Sequence, residues 1–301
     1  MSYEEFMLSS VLKPLGLHNT KMFRSDAIQS GTLAQGHRAN MFRSTPFTKT
    51  IARSHTPTGF ILSNLIDVTK WLSLHLNPSN APYPFYKLIN EGHIPNTGMT
   101  TFGTNQYYAL GWHVDLNSGI IHHPGIIPGF VNHVMFCPSK NTAIVVLMNS
   151  SSGHSINLVE NIFALTLGLK TGSIAIGSDM RVLDIIFSAL IILFIVLTTT
   201  LLVILIFRII ALRKKHIVFK RPSIKGIISI SATALFFVLI LLLTLLAPII
   251  FGIGWHMVVI WLPPTIFTLI IFVFLAILFA GLLVILRILR APKIQDTAVT
   301  Y

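Results

Sequence analysis

Three apolar stretches, at roughly residues 183–207, 227–251 and 261–286, dominate the second half of the chain, and residues 1–180 contain none of comparable length. The hydrocarbon core of a bilayer, about 30 Å thick, is crossed by about 20 apolar residues in a helix. Each stretch reaches that length without an internal Lys, Arg or Glu, and Asp184 stands at the outer edge of the first. Such segments have no place in a water-soluble core, so the sequence predicts a head fixed to a membrane by three helices. A hydrophobic content of 53% and a mean hydropathy of +0.73 agree with that division.

Charge is distributed accordingly. Residues 1–180 hold 11 basic against 8 acidic side chains, a net of +3, whereas residues 181–301 hold 11 against 2, a net of +9. The basic residues flank apolar helices rather than forming a patch on the head, which argues against nucleic acid as a partner. Arg208, Arg213, Lys214, Lys215, Lys220, Arg221 and Lys225 lie between the first two stretches, and Arg287, Arg290 and Lys293 follow the third. The connection from Phe251 to Met257 carries neither Lys nor Arg. By the positive-inside rule, the 208–226 loop and the 287–301 tail are cytoplasmic, the 252–260 loop is outer, and the head lies outside. The expected location is therefore the cell membrane, multi-pass, with the bilayer itself as a partner. Trp255 and Trp261 suit the outer interface, and Pro263-Pro264 is expected to break the start of the third span. The spans are expected to hold no buried ionisable residue, so transport is disfavoured. The opening Met1-Ser2-Tyr3-Glu4-Glu5 has no basic segment, apolar run or cleavage site. From this follows the expectation that either the head is cytoplasmic or the chain lacks its beginning.

The head reads as α+β. Ser2 and Glu5 form a capping box for a short helix expected to end near Lys13-Pro14. Residues 16–60 are rich in Gly, Thr, Ser, Asn and Pro and read as irregular. Ser63 is the expected cap of a helix through Leu76, with Leu65, Ile66, Thr69, Leu72 and Leu76 on one face. Strands are expected at 108–114, 120–123, 131–137 and 142–148, with Pro138-Ser139-Lys140-Asn141 as a hairpin turn, and a last helix at 155–169. Cys137, the single cysteine, reads as a buried inert thiol.

Five blocks in this head resemble one family. Leu12-Lys13-Pro14-Leu15-Gly16-Leu17-His18-Asn19-Thr20 after Tyr3-Glu4-Glu5-Phe6, and the segment from Pro57 to Trp71, are the first two. Tyr108-Ala109-Leu110-Gly111-Trp112, His123-Pro124-Gly125-Ile126-Ile127-Pro128-Gly129-Phe130 and Ile144-Val145-Val146-Leu147-Met148-Asn149-Ser150 complete the set. In order and character they resemble serine hydrolases related to class C β-lactamases and penicillin-binding proteins. The resemblance implies an antiparallel sheet with packed helices and acyl transfer through an active-site serine. It also implies a cell-wall D-Ala peptide or a β-lactam as ligand, and no cofactor.

In that family a Ser-x-x-Lys supplies the nucleophile, a Tyr-x-Asn loop a second proton-transfer group, and a Lys-Thr-Gly or His-x-Gly strand lines the site. The resemblance assigns the third role to His123-Pro124-Gly125, with the Ile126 N–H donating to the oxyanion. The first two motifs would precede the helix that begins at residue 2, so no catalytic nucleophile is expected in these residues. Ser10-Val11-Leu12-Lys13 matches Ser-x-x-Lys only as a pattern, at the wrong end of a helix whose dipole opposes developing negative charge. Lys170-Thr171-Gly172 reads as linker. His122 and His123 are adjacent on a strand, face opposite ways and cannot share a metal, and no metal site is expected. The predicted order is a partial domain at 1–170, a linker at 171–182, and helices at 183–207, 227–251 and 261–286 joined by the loops above. The expected function is the C-terminal part of a membrane-anchored serine hydrolase, inactive alone. The alternative is a non-catalytic membrane-anchored binding protein with a degenerate head.

Overall fold

The computed structural model describes residues 1–48, 53–101, 105–150, 154–172, 180–214, 218–219 and 221–291. Two units emerge: Met1–Ala39 with Arg43–Val182, and Asn40–Phe42 with Leu183–Tyr301.

The first unit opens with α1 (Tyr3–Phe6), capped by Ser2 and Glu5 in a reciprocal capping box. The helix ends one residue past Lys13-Pro14, close to the expected place. It widens into a π-helical stretch, Met7–Leu12, and continues as α2 (Lys13–Leu15) to Gly16 at φ +67°. The i→i+5 pattern, with the Lys13 N–H reaching the Leu8 carbonyl, carries the helix past a proline that has no N–H to give. Arg53 holds this helix through a bidentate pair with Glu4, Nη2 to Oε2 at 2.7 Å.

Residues expected to be irregular contain α3 (Arg24–Gln29), the hairpin β1 (His37–Asn40) and β2 (Arg43–Pro46), and α4 (Thr56–Gly59). Next comes α5 (Leu65–Leu76), capped by Asn64 rather than Ser63. The Ser63 hydroxyl is engaged with Thr20 Oγ1 at 2.8 Å, which leaves Asn64 Oδ1 to accept the Asp67 N–H. The buried face of α5 is only in part the one expected, through Leu72 and Leu76. Leu65, Ile66 and Thr69 are exposed, and the face turned inward carries Asp67, Trp71, Leu72, His75 and Leu76.

After α6 (Phe85–Gly92) come β3 (Asn96–Thr100), β4 (Gln106–Tyr108), β5 (His113–Asp115), β6 (Ile121–Ile127), β7 (Phe130–Cys137) and β8 (Thr142–Met148). They form one antiparallel sheet in sequence order. The single strand expected at 108–114 is two strands, because the chain reverses at Ala109–Trp112, with Gly111 at φ +87°. The β6–β7 hairpin turns at Pro128-Gly129, with Gly129 at φ +91°, the order a type II turn demands. At Pro138–Lys140 the chain makes one 3₁₀ turn and closes through Asn141 at φ +44°.

Two apolar layers cover the sheet. On one face α5 sets Leu72 against Trp112, Val114, Ile121 and Phe136. On the other, α7 (His154–Thr166) packs Val159 and Phe163 against Met135 and Cys137. Cys137 is a buried free thiol in that second layer. This α+β arrangement agrees with the sequence-based expectation.

The second unit contains α8 (Met180–Lys214), the short β9 (Val218–Phe219), α9 (Ile224–Ile250), α10 (Trp255–Trp261), α11 (Thr265–Leu289) and β10 (Arg290–Ala291). Three of these helices, α8, α9 and α11, are long and apolar enough to cross a membrane. The segment read as an outer loop is largely α10, and α11 begins after Pro263-Pro264. Asp184 is buried near the start of α8, where it accepts hydrogen bonds from the N–H groups of Met41 and Phe42 and from Thr265 Oγ1 (3.2, 3.1 and 3.0 Å). An ionisable residue therefore is buried in one apolar helix, against expectation, and its carboxylate is satisfied. Residues 173–179 of the predicted linker, 215–217 and 220 of the predicted basic loop, and the tail beyond Ala291 lie outside the described residues.

Candidate functional site

The four residues singled out from sequence, His123, Pro124, Gly125 and Ile126, lie consecutively on β6. On one side the whole strand pairs with β7, His123 against Val134 and Gly125 against Asn132. On the other side β5 pairs only with Ile121 and His122. Among the described residues, 123–127 thus have no strand neighbour on that side. Alternation places His123 and Gly125 on one face.

His123 is half-buried, and its Nε2 lies 3.3 Å from the Tyr108 hydroxyl. The tight β4–β5 turn makes this contact possible. Gly111 supplies the positive φ, Trp112 is sunk into the core, and Tyr108 ends β4 facing the β6 histidine. His113 adds a third ring, its centroid 5.2 Å from that of His123. Burial, with a smaller push from His123, lowers the His113 imidazole below the usual histidine range. Gly125 is open above its Cα: an added Cβ would meet nothing nearer than the Asn132 carbonyl at 3.8 Å. The fold itself does not demand a glycine there. Ile126 is half exposed.

Among the described residues, no serine hydrogen-bonds to His123; the hydroxyl it meets is the phenol of Tyr108. Ser10 and Lys13 are both exposed on the first helix, and Ser10 Oγ contacts Ser9 Oγ at 3.3 Å. Lys170-Thr171-Gly172 follows α7 and is exposed, with the Gly172 N–H donating to Asn161 Oδ1.

Sequence reasoning missed Tyr108 as the partner of His123, and a second group on the sheet face that α7 covers. His122 Nδ1 lies 3.2 Å from His133 Nε2, and Glu160 of α7 joins them. The His122–His133 proximity was legible in principle. A two-residue turn at Pro128-Gly129 pairs 127 with 130 and hence 124 with 133, which brings position 122 diagonally beside 133. Glu160 had no such signal, because its place depends on how α7 docks.

The model of the family described as "Beta-lactamase" matches residues 1–167. No curated protein matches the chain. Among solved structures, the octameric penicillin-binding protein homologue from Pyrococcus abyssi is similar at 21% identity over 58% of this chain, with a TM-score of 0.49. The match spans only 40% of that protein's length. With the family model covering more than half of its residues, this chain belongs to the β-lactamase family.

Proposed function

We propose that the head supplies the C-terminal wall of a β-lactamase-type acyl-transfer site, held at a membrane by α8, α9 and α11. In this reading His123-Pro124-Gly125 is the family's His-x-Gly strand. The Ile126 N–H then faces the carbonyl oxygen of a bound peptide or β-lactam, where such a donor is most effective as negative charge develops. His123 and Tyr108 orient the ligand's polar groups. The observation that carries the reading is the unpaired side of β6 at 123–127 combined with open space over Gly125. A peptide can lie there as an added strand, taking main-chain hydrogen bonds and approaching bare backbone. Ser10-Val11-Leu12-Lys13, exposed on the first helix, is the one Ser-x-x-Lys in the sequence and no Tyr-x-Asn occurs, so in this reading the chain by itself binds without forming an acyl-enzyme. The head faces the outer side of the membrane, where a cell-wall peptide ending in D-Ala is the ligand class.

The test is a titration of the detergent-solubilised chain with a D-Ala-D-Ala-terminated peptide, followed by amide NMR. Shifts are expected at His123, Gly125 and Ile126 and at Tyr108. Gly125→Val, which fills the open space, should abolish them. Saturable binding that leaves these amides unmoved would refute the assignment.

A further inference from the structure

On the sheet face that α7 covers, where His113 also stacks on His122, three side chains of different elements converge. His122 comes from β6, His133 from β7 and Glu160 from α7, and one ligand atom from each lies within 4.8 Å of the other two. We propose that His122, His133 and Glu160 form a binding site for a borderline divalent transition metal, Zn2+ foremost, tying α7 to the β6–β7 hairpin.

The donor set and its spacing support this. Two imidazole nitrogens and one carboxylate oxygen are a known zinc combination, and they disfavour the hard ions Mg2+ and Ca2+, which take oxygen ligands. Two nitrogens each about 2.0–2.1 Å from one tetrahedral ion stand about 3.3 Å apart. His122 Nδ1 and His133 Nε2 stand 3.2 Å apart already. The same 3.2 Å is the length of an imidazole–imidazole hydrogen bond, which a bound ion would replace, with Glu160 within 4.8 Å to supply the third ligand.

The electrostatics point the same way. Burial, aided by neighbouring imidazoles, lowers His122 to about 4 and His133 to about 3. Both rings are neutral at pH 7 and keep a lone pair to give. The Glu160 carboxyl is half-buried, pushed up by that burial, and has no ion pair among the described residues. A carboxylate beside two neutral imidazoles lacks a counter-charge that a dication would provide. His133 Nδ1 is shut off from solvent without a hydrogen bond of full geometry, and the Ile156 backbone gives the ring a weaker polar contact. His133 Nε2 is the ring atom 3.2 Å from His122 Nδ1, and so the atom on the side of the shared position. Three protein ligands leave a fourth position open to water.

The site is tested on the full chain purified in detergent and stripped with a chelator. Calorimetric titration with Zn2+ should show one equivalent bound, and Co2+ should give the visible d–d absorption of a four-coordinate site that Zn2+ then bleaches. Glu160→Gln and His122→Gln should each weaken Zn2+ binding at least about tenfold, as expected for loss of one ligand contact. Exposed His18→Gln should leave it unchanged. Far-UV circular dichroism and the melting transition of each variant without metal separate loss of a ligand from loss of the fold, and fully buried His133 is left intact for the same reason. Absence of saturable one-equivalent binding would overturn the proposal. So would binding that Glu160→Gln and His122→Gln leave intact in folded protein.

Discussion

Asp67 shows how one side chain fixes the head's local geometry. Its carboxylate accepts the N–H groups of Asn19 and Thr20 and the Thr20 hydroxyl, all at 2.8 Å, and the Asn19 side-chain amide at 3.2 Å. Burial pushes its pKa up, but the hydrogen bonds from Thr20 and Asn19 outweigh that and hold it below the usual carboxylate range. Asp67→Ala orphans these donors, so we expect a loss of roughly 2–4 kcal/mol in unfolding free energy, read from denaturant melts. His75 acts in the opposite sense. It is packed among Trp71, Trp112 and His93, and burial lowers its pKa to about 3. The folded state keeps this ring neutral while the unfolded state binds a proton below about pH 6.5. Stability attributable to His75 is complete above that pH. It falls by about 1.4 kcal/mol per unit as pH drops toward 3. Melting temperatures measured from pH 7 down to pH 5 should decline, and His75→Phe should flatten the decline.

At the scale of elements, the strands position the site and the core positions the strands. Phe136 is fully buried at the centre of an aromatic group with Trp112, His75 and His93. Its truncation to Ala should cost about 3–5 kcal/mol, the usual range for a buried Phe. Gly111→Ala should cost roughly 1–3 kcal/mol, all of it from the backbone at φ +87°, since the added methyl meets nothing within 4 Å. Elements with local signals were legible in the sequence. Thr142–Met148 is a β-branched apolar run after a Pro-Ser-Lys-Asn turn, and it is β8. Elements chosen by tertiary contact were not. Ser63 and Asn64 can each cap a helix, and only the Thr20 hydroxyl decides between them. The α5 face was partly misread, because a carboxylate and a histidine, Asp67 and His75, take inward places that a hydrophobic pattern assigns to Leu65 and Thr69. The His123 strand was legible through a motif. Its Tyr108 partner was not, because the turn that delivers it was hidden inside what read as one strand.

For the molecule as a whole, the claims concern a membrane and a family. The proposed outer placement of the head rests on the basic residues around α8 and α9, set against a 251–257 connection without Lys or Arg. A reporter active only in the cytoplasm should work when fused after Tyr301 and be silent when inserted at Gly254. The reverse pattern would place the head inside the cell. The central proposal is that the β-lactamase-family head uses His123–Ile126 as one wall of an acyl-transfer site and does not itself supply the nucleophilic serine. The most direct measurement is exposure of the purified 301-residue chain to a fluorescent penicillin, followed by denaturing electrophoresis. No covalent label is expected, and Ser10→Ala should change nothing. A strong, denaturation-stable label on the wild-type chain, lost on Ser10→Ala or on replacement of any other single serine, would contradict it.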